Sequence, residues 1–151
     1  MTRLRVNRTG LPARYEILSG SDSVTTVSAR TTQHGGELDI GGHTYQLDNS
    51  ALGRKCILRA DDGQEVASAE RGGLRSWRIA TGERELRLTR IGLGSRNLEL
   101  TEAGGRIGWV RRSARGAEAE LPELARPIEV FVLVVALAMW QRRRKAIVIG
   151  R

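Results

Sequence analysis

The chain has one cysteine, three prolines and two histidines among 151 residues, and aromatic side chains make up only 4% of it. A single thiol excludes an internal disulfide and any multi-cysteine iron or zinc cluster. The place of Cys56 in the alternating run KCILRA marks a buried structural residue rather than a nucleophile. His34 and His43 have no cysteine beside them, and a zinc site would need them to converge with Glu37 or Asp39 across a hairpin, which their spacing argues against. P-loop, dinucleotide-binding and nucleophile-elbow motifs are missing too. IGLGSR (91–96) is glycine-rich, but it lies between strand-like runs and lacks the phosphate-binding lysine. DDGQE (61–65) lacks the ligand register of a calcium loop. No catalytic residue, metal or cofactor is therefore expected, and the inventory argues against an enzyme. Few aromatics weaken the case for a single-stranded nucleic-acid surface. The basic N-terminus, MTRLRVNRTGLPARYEIL, has no apolar core of signal-peptide length, which sets the expectation of a cytoplasmic protein.

Glycine, by contrast, is abundant at 18 residues, and much of it sits between short alternating runs. ARYEILS (13–19), VTTVSAR (24–30), GELDIG (36–41), HTYQLD (43–48), KCILRA (55–60) and EVASAE (65–70) come first. SWRIAT (76–81), RELRLTR (84–90), RNLELTE (96–102), RIGWVRR (106–112) and EAEL (118–121) follow. A period of two with one wet face is the pattern of an antiparallel strand, and the GG, DG and TG dipeptides between runs suit tight hairpins. Nothing between the strands is long enough for a crossover helix, so a doubly wound fold is excluded and a meander is predicted. Residues 41–71 and 83–112 echo one another as strand, LG-containing hinge, strand, glycine turn, strand, a likeness that any meander with GG and DG turns also produces. With 40% hydrophobic and 28% charged residues, the chain reads as one domain spanning 1–151.

The segment PIEVFVLVVALAMWQRRRKA breaks the alternation. Every position from Val130 to Trp140 is apolar, Pro127 suits a first helical turn, and Glu129 and the Arg142–Lys145 cluster complement the helix dipole. A helix over about 127–142 is predicted. Its uninterrupted apolar run of eleven residues falls short of the about 20 that a bilayer requires. A helix with no polar face is one buried on all sides, and a curled sheet of about a dozen strands is wide enough to hold it. A membrane anchor over 127–141 stands as the alternative.

A glycine-punctuated meander followed by LPELARPIEVFVLVVALAMW resembles the superfamily of the tubby C-terminal domain, the phospholipid scramblases and the LURP-one-related proteins. The resemblance implies a mainly β fold: a closed antiparallel barrel of about twelve strands around a central hydrophobic C-terminal helix. The twelfth strand would be LRVNR (4–8) or KAIVIG (145–150).

Net charge is +8, the sequence pI is about 11.1, and all the basic residues except Lys55 and Lys145 are arginine. Such a field attracts anionic partners, and guanidinium groups grip phosphates bidentately. Tubby domains bind phosphoinositide headgroups, so the resemblance implies a binding or scaffold protein at an anionic lipid surface. The candidate contacts are Arg75, Arg78, Arg87, Arg111, Arg112, Arg142, Arg143, Arg144 and Lys145. Nucleic-acid binding is the reading that charge alone supports.

Overall fold

The computed structural model describes residues 1–50, 53–73, 75–92 and 97–149, with side chains as far as 141. The order is β1 (Thr2–Thr9), β2 (Arg14–Ser19), β3 (Asp22–Ser28), the short helix α1 (Ala29–His34), β4 (Gly36–Ile40), β5 (His43–Asn49), β6 (Lys55–Arg59), β7 (Glu65–Arg71), β8 (Ser76–Thr81), β9 (Arg84–Arg90), β10 (Leu98–Glu102), β11 (Gly105–Ser113), β12 (Gly116–Leu121) and α2 (Arg126–Ile149). All twelve strands join one antiparallel sheet in the order β3-β2-β1-β12-β11-β10-β9-β8-β7-β6-β5-β4.

The predicted barrel around a central helix is the observed architecture. In β9, Leu86 and Leu88 are buried while Glu85 and Arg87 are exposed, so the two-residue period sorts one parity inward. The inward row from every strand meets α2. Ile128, Val130 to Leu137, Met139 and Trp140 are buried, with Phe131 at 0% exposure in their midst. Alanine at 67 and 69 lets β7 approach this helix closely. The segment considered as an anchor is therefore the core of the barrel, and no helix among the described residues is long and apolar enough to cross a membrane.

The twelfth strand is β1, which contains LRVNR and pairs with both β2 and β12. KAIVIG is not a strand: positions 145–149 continue α2, which runs eight residues past the Gln141 expected near its end. Gly116 makes the β1–β12 pairing possible. Its φ is 157°, and a Cβ there would collide with the Val6 carbonyl oxygen.

β3 and β4 are the two ends of the strand order and meet without a backbone ladder. Across that seam the Thr25 hydroxyl donates to the Asp39 carbonyl oxygen at 2.6 Å. VTTVSAR was expected to stay extended to residue 30, but α1 begins at Ala29. The Ser28 hydroxyl caps it by accepting from the Thr31 N–H at 3.0 Å. Its β-branched ARTTQH sequence carries little helix propensity. The turn is held from outside itself, because Thr32 is buried and its hydroxyl donates to the Gln141 Oε1 of α2 at 2.7 Å.

Candidate functional site: the basic end of the barrel

An up-and-down barrel sends alternate connections to opposite ends. The end at which β1 finishes, here the upper end, also receives α1 and the β5–β6, β7–β8, β9–β10 and β11–β12 connections. The lower end receives β2–β3, β4–β5, β6–β7, β8–β9, β10–β11 and the linker to α2. α2 enters from below and leaves through the upper mouth. There Trp140 lies under the Arg112 guanidinium at 5.4 Å, and Gln141 Nε2 donates to the Tyr15 hydroxyl at 3.3 Å.

The charges divide along the same axis. Arg8 and Arg14 flank the first upper connection, α1 carries Arg30 and His34, and the β5–β6 connection ends in Arg54 and Lys55. Arg71 and Arg75 bracket the next upper connection, and Arg115 sits between β11 and β12; all of these side chains are exposed. No upper connection contains Asp or Glu. The lower connections hold Asp61, Asp62, Glu83 and Glu123 and neither Lys nor Arg; the strand ends beside them are mixed, with exposed Asp22, Glu65 and Glu85 alongside Arg59, Arg84 and Arg106.

Ion pairing sharpens the contrast. Toward the lower end Arg84 donates to both carboxylate oxygens of Glu102, at 3.0 and 2.9 Å, and reaches the Glu123 carbonyl oxygen at 3.4 Å. This hydrogen-bonded guanidinium holds the Glu102 carboxyl below the usual carboxylate range. Arg126 donates to the buried Glu129 at 3.0 Å, and Arg3 lies 3.5 Å from Glu120. An open cleft of about 470 Å³ beside the Arg84 pair is lined by Glu83, Glu85 and Glu102 as well as Arg84 and Arg87, so acids outnumber cations there and Arg84 is already paired. At the upper end none of Arg8, Arg14, Arg30, Arg54, Arg75 and Arg115 forms an ion pair with a described residue. Backbone pairing brings two of them together, since the Arg8 N–H donates to the Arg115 carbonyl oxygen at 2.7 Å; the Arg75 side chain reaches across to the next upper connection, its Nη2 donating to the Gly92 carbonyl oxygen at 3.4 Å. Acids come no nearer than one residue in from the strand ends. These are Glu37, Asp48, Glu70 and Glu99, of which Glu70 is engaged by Arg78 at 2.8 Å and Lys55 at 3.6 Å, the Arg78 hydrogen bond chiefly lowering its pKa, and Asp48 by Arg59 at 2.9 Å.

The nine residues singled out from sequence do not share one surface. Arg78 and Arg87 are cross-strand neighbours on the outer wall, where Glu70 and Glu85 flank Arg78. Arg111 stands on another part of the wall, 4.1 Å over the Trp109 ring and opposite Glu118 in register. Arg75 belongs to the upper end and Arg112 to its mouth. Arg142, Arg143, Arg144 and Lys145 lie on α2 just past that mouth, with side chains outside those described. Sequence reasoning passed over Arg8, Arg14, Arg30, Arg54 and Lys55 as members of one site. Numbering the connections of a meander and sorting odd from even would have grouped them.

His34 and His43 fall at opposite ends of β4 and its hairpin, so they cannot converge. Among the described residues no group of three His, Cys, Asp or Glu side chains could hold a metal ion. What the upper end can do chemically is present clustered guanidinium groups to an extended anionic surface. No family model matches this chain, and comparison with curated proteins finds no significant match.

Proposed function

We propose that the protein is a non-enzymatic binding module that attaches peripherally to anionic phospholipid surfaces through the upper end of its barrel. The carrying observation is the segregation of charge: exposed, unpaired arginines in the connections at one end and acids in those at the other. A uniformly basic surface would favour any polyanion in any orientation. A dipolar one aligns the barrel axis with the field of a negative plane, pressing one end down and holding the other away. Each basic side chain near such a surface contributes about 1 kcal/mol, and the effect decays within a Debye length of about 8–10 Å. The twelve-stranded barrel with its central helix supports the proposal of kinship with the tubby, scramblase and LURP-one-related proteins, whose resemblance first suggested a lipid partner.

Partition onto phosphatidylcholine vesicles with and without phosphatidylserine, followed through a salt series, tests this reading. Replacing Arg30, Arg54 and Arg115 together by Gln should weaken binding about a hundredfold, from about 1 kcal/mol each. Replacing the wall and lower-end residues Arg87, Arg106 and Arg111 by Gln changes net charge equally and should cost far less. Equal losses in the two triple variants, or indifference to phosphatidylserine, would refute the assignment. Salt-sensitive capture of duplex DNA without capture of vesicles would transfer the basic end to nucleic acid.

A further inference from the structure

Three large apolar residues among those described are exposed: Leu11 at 98%, Met1 at 74% and Ile91 at 39%. Met1 is the first residue, below β1. Leu11 and Ile91 are both in upper connections, between strands that carry the basic cluster. A soluble surface readily tolerates a lone leucine, so the count alone means nothing. Position is the informative part, because both residues belong to connections at the barrel end whose connections carry the arginines.

The sequences of the connections extend the pattern. Upper ones couple leucine to arginine, as GLPAR (10–14), ALGR (51–54), GGLR (72–75) and GLGSR (92–96). Leu52, Leu74 and Leu93 lie outside the described residues. Lower connections read GS, GG, ADDGQ, GE and AG, with no large apolar residue, and the linker PELA has Leu124 half-buried against the core. α2 repeats the arrangement along its axis. Beyond Gln141 at the mouth its backbone stays helical for about 12 Å, by rise per residue. The sequence there runs RRRK (142–145) and then AIVI (146–149).

We infer that the upper end docks end-on against an anionic bilayer, with Leu11 and Ile91 inserted into the boundary between headgroups and acyl chains and the arginines at headgroup depth. This inference rests on the function proposed above and adds an apolar component and an orientation to it. Amphipathic elements on membranes divide in the same manner: cations stay with the phosphates, and apolar side chains go about 5–10 Å deeper. Charge complementarity selects the bilayer as occupant, since a protein groove would leave the surrounding guanidinium groups without counter-charges.

The test uses the full chain with an environment-sensitive fluorophore attached at Leu11→Cys or, at the lower end, at Ser21→Cys. Cys56 is only 8% exposed, and the parent chain serves as the labelling control. The vesicles contain phosphatidylcholine and phosphatidylserine, with doxyl quenchers on the acyl chains. Blue-shifted, quenched emission from position 11 but not from position 21 is expected. Leu11→Asp should lower partition about tenfold, as for partial burial of one leucine. Its thermal midpoint should not move, because the residue has no packing to lose. Persistent vesicle binding with equal, unquenched emission at both positions would overturn insertion while leaving the electrostatic function standing. Failure of the parent chain to bind the vesicles at all would overturn both.

Discussion

Phe131→Ala puts the central-helix architecture at risk in a measurable way. The ring is fully buried at 0% exposure, near the start of the apolar stretch of α2 and within the core that the inward rows of the barrel build. Truncation removes the transfer free energy of the ring and leaves a cavity that a closed sheet cannot collapse to fill. Together these cost about 3–5 kcal/mol. A domain of this size has a total stability of about 5–15 kcal/mol, so the variant should still fold, with most of its margin gone. At about 2–4 °C per kcal/mol the thermal midpoint should fall by about 10–15 °C. Urea unfolding monitored by tryptophan fluorescence and by far-ultraviolet dichroism should give coincident transitions, because helix and barrel share one core. Trp140 lies on α2 itself and Trp77 in the wall that faces it. A loss below about 1 kcal/mol, or a tryptophan transition separated from the backbone transition, would show that α2 is not integral to the barrel and would refute the reasoning.

Acid should weaken the fold through the carboxylates of Glu70 and Glu102. Both have folded-state pKa values lowered by guanidinium hydrogen bonds, so their stabilisation is present above the unfolded value of about 4.3 and is lost as pH falls through the folded one. Glu102→Gln should therefore be less stable than the parent at neutral pH, with the gap closing toward pH 3 in urea titrations; a gap independent of pH would contradict the pairing with Arg84. At the upper mouth, Thr32→Val deprives Gln141 of its 2.7 Å donor, and Gln141→Leu removes the acceptor. A double-mutant cycle should give a coupling of at least about 0.5 kcal/mol, whereas strict additivity would mean that α1 is not latched to α2 through this contact.

The meander was legible because its signals are local. Alternation in RELRLTR and GG or DG between runs are backbone preferences that need no partner, and the β8 and β9 boundaries match SWRIAT and RELRLTR residue for residue. The buried helix was legible by elimination, since a stretch with no polar face can stay in water only if something surrounds it. α1 was not legible: ARTTQH has weak helix propensity, and its stability comes from Ser28, Asn49 and Gln141, the last two far away in the chain. The β1 strand was ambiguous with KAIVIG because both runs fit a strand and only the register against β12 chooses between them.

The basic site illustrates the same division. Composition and strand order, both carried by the sequence alone, determined a strongly cationic, hairpin-connected barrel with an apolar helix inside it. Which arginines share a surface depended on closure. The meander itself sorts alternate connections to opposite ends; bringing β12 beside β1 curls each set into one face around the axis of α2, with arginines in the connections of one and acids in those of the other. Arg78 and Arg111, equivalent in composition to Arg30 and Arg54, went instead to the wall, to Glu70 and to the Trp109 ring. Charge is a property of the chain, but a charged face is a property of the topology that gathers its members, and that gathering is long-range.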